Sequence, residues 1–351
     1  MPCYNEEQFI ARAIESLVDD YSQENCEILV VDGISTDGTG DIVISLIKRG
    51  LPIKLFENKK KLQAFGLNLG LSKAKGEFIV RADAHCLYPP GYVKNCVELL
   101  ELKEKEGVAN VGGVMKPLGT HLVQKSIAVA LQHPLGVGDA KFHLGTRSGY
   151  VDTVFLGAFK KKLFEDIGLY DEEAHPNEDA ELNLRILKAR KKIYLDSSIK
   201  VIYFPRESFW ALAKQYFRYG QGRAYTTWKH KKMTSWRQVA PPILVIGVSI
   251  STVLGFIKPL FLLFPIAYIV FTLTAALGSR FPRRVGNEIS KGSKILFAGD
   301  EEKRDFPSIS MRFLIFAAFE VMHVCWGIGF LTRMLKLIFK KKFTLLENSS
   351  G

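Results

Sequence analysis

The sequence predicts an α/β domain built on a mostly parallel sheet, followed by C-terminal transmembrane helices. Three observations lead there. Strand and helix signals alternate up to Pro205, two of the strands end on a carboxylate, and after Val239 long apolar runs nearly free of charge take over. Repeated β-α-β units imply parallel strands covered on both faces. Ligands on such sheets sit beyond the carboxyl ends of the strands.

Taken in order, Glu6 to Asp20 places Ile10, Ala13, Ile14 and Leu17 at helical spacing. Glu27-Ile-Leu-Val-Val-Asp32 is a buried strand ending in acid, Gly38-Thr39 opens a helix through Ile47, and Pro52 to Phe56 is a short strand. Gln63 to Ala74 is helical, and Glu77-Phe-Ile-Val-Arg-Ala-Asp83 again runs from strand into acid. Asp32 and Asp83 are therefore expected to face one crevice. A parallel α/β domain normally opens on a buried strand. This chain opens on the loop that should follow it, so the sheet is expected to lack its first strand.

Ala240 to Ile257 and Leu260 to Leu277 are apolar runs separated by Lys258-Pro259. Each is close to the ~20 residues that span a bilayer. Phe313 to Leu331 is a third run, although it carries Glu320 and His323. Two adjoining runs without amphipathic periodicity favour spans over buried core helices. Arg280, Arg283, Arg284, Lys291 and Lys294 lie before the third run, and Lys336 with Lys340-Lys341-Lys342 lie after it. Both groups favour the cytoplasmic side. A single span would separate them, so either the third run is interfacial or re-entrant or the tail breaks the rule.

The 351 residues allow one large domain and a smaller appendage, and a net charge of +12 points to an anionic partner. The basic residues are dispersed or close to the apolar runs, so anionic lipid accounts for them and nucleic acid is not an expected partner. Cys3, Cys26, Cys86, Cys96 and Cys325 form no CxxC pair and no regular spacing. That argues against a zinc site and a disulfide framework and fits a reducing cytosol. Met1 leads straight into polar Tyr4-Asn5-Glu6-Glu7, so no signal peptide is expected.

Five segments carry candidate chemistry. Pro2-Cys3-Tyr4-Asn5-Glu6-Glu7 by itself is a turn before a helix with acids in its first turn. Val31-Asp32-Gly33-Ile34-Ser35-Thr36-Asp37-Gly38-Thr39 joins a strand to a helix, and its glycines let backbone approach a ligand. It is neither GxGxxG nor a P-loop, which removes dinucleotide and ATP readings. Arg81-Ala-Asp83-Ala-His85 offers two metal ligands just past a strand, or a strand-end turn with an incidental histidine. Asn177-Glu178-Asp179 opens a helix, either as plain capping or as the source of a general base. Gln215-Tyr-Phe-Arg218-Tyr219 mixes aromatics and arginine just ahead of the apolar runs. It is either an interfacial helix or the place where arginine neutralises a leaving diphosphate.

In order and spacing these segments resemble the family-2 glycosyltransferases of GT-A fold, and within them the succinoglycan-type exopolysaccharide branch. The resemblance runs from Pro2 to about Trp236 and also takes in Gln63 to Asn68 with Gly70, Tyr88-Pro89-Pro90, Val151 to Val154 and Gly157-Ala158-Phe159. It implies a nucleotide-sugar-binding domain in which Pro2, Tyr4 and Glu6 line the nucleotide pocket and Asp32 reads the base, commonly uracil. Asp83 and His85 occupy the Asp-x-Asp metal position, for a divalent cation. His85 replaces the usual second acid, and imidazole suits Mn²⁺ better than Mg²⁺. Asp179, next to Glu178, matches the catalytic base, and Gln215 with Arg218 matches Gln-x-x-Arg-Trp, with Tyr219 in place of tryptophan.

The expected activity is inverting transfer of a hexose from a UDP-linked donor to a polyprenyl-diphosphate-linked acceptor. The expected layout is a catalytic domain over 1–205, interfacial helices over 206–238 and a transmembrane hairpin over 239–278. A basic cytoplasmic loop over 279–311, a third membrane segment over 312–340 and a tail over 341–351 complete it. The expected location is a cell membrane, multi-pass, with the catalytic domain cytoplasmic. Two other readings compete. A processive polysaccharide synthase needs a channel that two or three spans are too few to enclose. A non-catalytic nucleotide-binding scaffold has no need of Asp83, Asp179 and Arg218 together.

Overall fold

A computed structural model describes residues 1–18, 24–145, 147–232, 235–280 and 307–349. They divide into two units, Met1–Pro117 with Ala140–Phe204, and Leu118–Asp139 with 205–280 and 307–349.

In the first unit, β1 (Pro2–Cys3), β2 (Ile28–Asp32) and β3 (Ile53–Glu57) form a parallel sheet in that order. The expectation of a missing first strand is corrected here. Pro2 pairs with Val31 and Cys3 with Asp32, and the Gly33 N–H donates to the Cys3 carbonyl at 2.8 Å. Two residues are enough to hold the loop after β1 in register, because β2 supplies a full row of ladder partners. α1 (Ile10–Leu17) and α2 (Thr39–Lys48) cover this sheet, packing Ile10, Ile14, Val43 and Leu46 against Val30 and Ile53. Each such side chain contributes about 1.5–3 kcal/mol when fully buried. The expected apolar stripe of α1 is the buried one, but the helix starts at Ile10. Glu6 to Phe9 form the turn before it, and Asp20 lies outside the described residues.

The second sheet contains β4 (Phe78–Arg81), β5 (Cys86–Leu87), β6 (Val108–Pro117), β7 (Gly149–Tyr150), β8 (Phe155–Lys160) and β9 (Lys192–Tyr203). Its order is β4-β8-β6-β9-β5, with β7 on β9. Only β6 and β9 pair in parallel, so the sheet is mixed. The β-α-β rhythm that predicts parallel strands stops after β4. β8 returns between β4 and β6 and runs against both.

α3 (Gln63–Lys73) and α4 (Tyr92–Lys103) precede α5 (Leu122–Ala130), which belongs to the second unit, and α6 (Glu178–Lys188). α6 buries Leu182 and Ile186 against Phe159, Ile193 and Leu195. Buried polar groups fix it as well. Asn183 donates to Thr153 Oγ1 at 3.0 Å and accepts from Asn110 at 2.8 Å. Fully buried Glu181 holds Arg185, whose guanidinium donates to the carbonyls of Gly168 at 2.9 Å and Leu169 at 2.7 Å. Buried polar pairings of this kind favour one docking of a helix.

The second unit is helical. α7 (Phe209–His230) is capped by Ser208, whose Oγ accepts from the Ala211 N–H at 3.2 Å, and is followed by α8 (Ala240–Gly255), α9 (Leu263–Gly278) and α10 (Ile309–Ser349). α7 lies close along α10 through glycines. A methyl on Gly220 would strike the Trp326 carbonyl, and one on Gly329 the Phe217 carbonyl. Small residues at such crossings let backbones touch.

Pro259–Gly278, 20 residues of mean hydropathy 2.3, and Ile309–Lys340, 32 residues of mean hydropathy 1.8, are long and apolar enough to cross a membrane. The first expected run forms a helix of 16 residues. At 1.5 Å per residue that is about 24 Å, short of a ~30 Å hydrocarbon layer. Within the third run Glu320 accepts from Thr272 Oγ1 at 2.8 Å, while His323 contacts the Tyr268 hydroxyl at 2.9 Å and the Leu135 carbonyl at 2.7 Å. Ile266, Ile269, Val270 and Phe271 remain exposed on α9, an apolar face suited to lipid. The basic stretch at Arg283, Arg284, Lys291 and Lys294 lies outside the described residues.

Candidate active site

The loop after β1 and the loop after β2 lie side by side because their strands are hydrogen-bonded neighbours. Asp32, at the end of β2, accepts from the Ser35 N–H at 3.0 Å and the Ser35 hydroxyl at 2.5 Å. Burial pushes the Cys3 thiol pKa up, with Asp32 adding to the effect, so a neutral thiol donates to the Asp32 carboxylate at 3.6 Å. The loops approach closely at Gly33, where a Cβ would come within 3.2 Å of the Tyr4 ring and 3.3 Å of the Cys3 carbonyl. Ile34 holds a φ of +59°, a conformation that is costly for a β-branched residue. The ring of Tyr4 is 47% exposed, and the Lys61 ammonium stands 5.4 Å from its centre.

From Ser35 the contacts run on. Its hydroxyl accepts from the Asn5 N–H at 2.9 Å, the Glu6 N–H donates to Thr39 Oγ1 at 2.8 Å, and Glu6 Oε1 meets His85 Nδ1 at 3.1 Å. A carboxylate only accepts, so Nδ1 is the donor of this contact and Nε2 is turned away from Glu6. Among the described residues Nε2 has no hydrogen-bond partner. The His85 ring is also held edge-on by Tyr203, centroids 5.3 Å apart.

Asp83 follows β4. Its backbone is clamped by the buried Tyr88 hydroxyl, which accepts from the Asp83 N–H at 2.7 Å and donates to the Asp83 carbonyl at 2.9 Å. Its Oδ1 lies 3.4 Å from Arg81 Nε and Nη2. Arg81, with only 5% of its side chain exposed, also donates from Nη1 to Asp179 and lies 4.0 Å from Glu178. Gln63 completes the group. With its amide oriented to satisfy both neighbours, its oxygen accepts from Arg81 at 2.7 Å and its nitrogen donates to Glu178 at 3.2 Å.

One guanidinium therefore faces three carboxylates. Burial works against the charge on Arg81, but Asp179, Asp83 and Glu178 more than restore it. The acids carry the surplus. Asp179 keeps 38% of its side-chain surface. Withdrawal of the rest from water pushes its carboxyl up to about 7; Arg81 pulls the other way, and Glu178 and Asp83 push further up. Glu178, at 2% exposure, is turned into the protein, so of the two acids at the start of α6 only Asp179 is open to a substrate.

The residues Pro2, Tyr4, Glu6, Asp32, Asp83, His85, Glu178 and Asp179 all belong to the first unit and share this line of contacts or border it. Gln215 and Arg218 belong to the second, on α7. There Gln215 donates to the Tyr219 hydroxyl at 2.9 Å, and Arg218 is exposed. The sequence assigns no role to Arg81 or Gln63. The available signal was a charge at the end of the apolar strand Phe-Ile-Val-Arg.

As to a cation, among the described residues no three His, Cys, Asp or Glu side chains gather as a metal centre. Asp83 and the free Nε2 of His85 supply a mixed oxygen and nitrogen pair beside surplus negative charge. One carboxylate and one imidazole are donors of the kind that a divalent ion takes.

The model of the family described as Glycosyl transferase family 2 matches residues 1–168. The succinoglycan biosynthesis protein ExoA of Rhizobium meliloti is 32% identical over 243 residues, 69% of this chain and 73% of that protein. The dolichyl N-acetyl-alpha-D-glucosaminyl phosphate 3-beta-D-2,3-diacetamido-2,3-dideoxy-beta-D-glucuronosyltransferase of Methanococcus voltae is 30% identical over 229 residues, 64% of this chain and 71% of that one. Among solved structures, the mannosyltransferase PcManGT from Pyrobaculum calidifontis, in complex with GDP-Man and Mn²⁺, is similar in fold. Its TM-score is 0.54 at 18% identity, covering 95% of this chain and 85% of that one. The fold is GT-A, and by the extent of its likeness to the first two relatives the chain belongs to glycosyl transferase family 2.

Proposed function

We propose that this glycosyltransferase moves a hexose from a UDP-linked donor to a polyprenyl-diphosphate-linked sugar at the cytoplasmic face of a cell membrane, in exopolysaccharide or cell-surface glycan assembly. The observation that carries the reading is the pairing of Asp83 and Asp179 through one buried guanidinium. It sets a carboxylate on the donor side next to a carboxylate whose proton affinity suits a general base.

In this reading Asp32 takes the base of the nucleotide, and Pro2 and Tyr4 line its pocket. Asp83 and His85 hold a divalent cation, Mn²⁺ or Mg²⁺, which when bound neutralises the diphosphate leaving group. Asp179 accepts the proton of the acceptor hydroxyl as that oxygen attacks the anomeric carbon from the face opposite the diphosphate, inverting the centre. The leaving group is already good, so no protonating acid is required, unlike a glycosidase with its two carboxylates around one bond. Gln215 and Arg218 serve the departing diphosphate, an assignment that rests on the motif alone.

The relative named for a dolichyl-linked substrate supports a lipid-carried acceptor, and the one named for succinoglycan biosynthesis supports exopolysaccharide assembly. Residues 1–205 are the catalytic part and 206–238 the interfacial part, where Trp210 is 71% exposed with Lys214 5.0 Å over its ring. The apolar segments of 239–278 and 312–340 sit in the membrane.

The test is a screen of labelled nucleotide-sugars against membrane extract, with Mn²⁺, with Mg²⁺ and with chelator, followed by mass analysis of the lipid product. The expected result is one added hexose, dependent on the metal. Absence of turnover with every donor sinks the proposal, and a product many sugars long replaces it with processive synthesis.

A further inference from the structure

We propose that Arg81 is the positioning residue of the general base: its guanidinium alone holds the Asp179 carboxylate in place and ties it to Asp83. The inference rests on the reading of Asp179 as base. Three features of the site carry it.

First, among the described residues Arg81 is the only polar partner of the Asp179 carboxylate. Asp179 lies in the first turn of α6, where an aspartate side chain has several rotamers open to it. What selects one is the bond from Nη1. Second, Arg81 is itself immobile. It is the last residue of β4, paired to Gly157 of β8. Its Nε and Nη2 face Asp83, and Nη2 is also taken by Gln63. A group on a strand, with every edge engaged, positions a partner better than one on a loop. Third, the task needs a planar fork. Asp83 and Asp179 are reached from different nitrogens of one guanidinium, which the point charge of a lysine cannot reproduce. Burying a cation here is costly unless it is paired, and the pairs it makes join the donor side of the site to the base. Donor and acceptor hydroxyl are thus brought into line by a residue that touches neither.

Arg81→Lys keeps the charge and loses the span. With the nucleotide-sugar that the wild-type chain turns over in the screen above, kcat is expected to fall about 10- to 100-fold, the scale of a misplacement of about 1 Å. The dissociation constant of the matching nucleoside diphosphate, measured with Mn²⁺, should stay within about threefold. Full-length Arg81→Ala in detergent should regain part of its kcat on adding guanidinium ion; if that variant does not fold, Arg81→Lys carries the test. An unchanged kcat in Arg81→Lys, or a loss confined to nucleotide affinity, overturns the inference. Asp179→Asn assayed alongside separates the two failures. Retained turnover there removes the base and the inference together, whereas lost turnover there with a normal Arg81→Lys removes the inference alone.

Discussion

Asp179→Asn is the substitution on which most turns. Asparagine keeps the shape of the side chain and leaves an amide oxygen for Arg81 Nη1. The guanidinium still faces Asp83 and Glu178, so no buried charge is stranded. The raised carboxyl pKa means that ionised Asp179 does not stabilise the fold, and Arg81 keeps its two other carboxylates, so the substitution should not lower stability. The chemistry is another matter. A positioned general base is worth about 10²–10⁴ in rate, or about 3–5.5 kcal/mol of barrier, and an amide accepts no proton. Turnover of labelled donor should therefore fall at least about a hundredfold, while calorimetric binding of the nucleoside diphosphate and the melting temperature in detergent stay near wild type. Turnover within tenfold of wild type, with an unchanged melt, would remove Asp179 from the role.

Three further outcomes follow from the same geometry. Asp179 accepts a proton only when ionised, and its carboxyl stands at about 7. The value of kcat/KM should then drop about tenfold per unit below pH ~6.5 and level off above ~8; a profile flat from ~5.5 to ~8 contradicts the assignment. Asp83→Ala should lose the metal-dependent part of donor affinity, so equal nucleotide binding with Mn²⁺ and with chelator is expected, and an intact Mn²⁺ enhancement counts against Asp83. Gly220→Ala drives a methyl into the Trp326 carbonyl and must part α7 from α10, at about 1–3 kcal/mol. A melt in detergent that does not move would mean that the crossing is looser than described.

Much of this arrangement is legible along the chain. The spacing of Ile10, Ala13, Ile14 and Leu17 marks a helix face that is in fact buried. The apolar stretches after Val239 become helices. Arg81 was visible but mute. A charge at a strand end has no meaning until its neighbours are known, and those neighbours are Gln63, just ahead in sequence, and Glu178 and Asp179, close to a hundred positions on. Glu178 and Asp179 are adjacent acids that periodicity cannot rank, and only the likeness to the family motif favours Asp179. The turn of α6 faces one inward and leaves the other open. The short first strand was misjudged for a related reason: strand signals need a run of residues, whereas the ladder of β2 captures two.

Sequence alone determined the family and the succession of strands and helices from the first helix to Asp83, since periodicity and motif order are local properties of the chain. Tertiary structure alone decided that β8 inserts beside β4, that Glu6 meets His85, and that a single guanidinium contacts the proposed base. These are pairings between distant segments. They are selected by the burial of charge and the satisfaction of hydrogen bonds in the folded core, which no local pattern encodes.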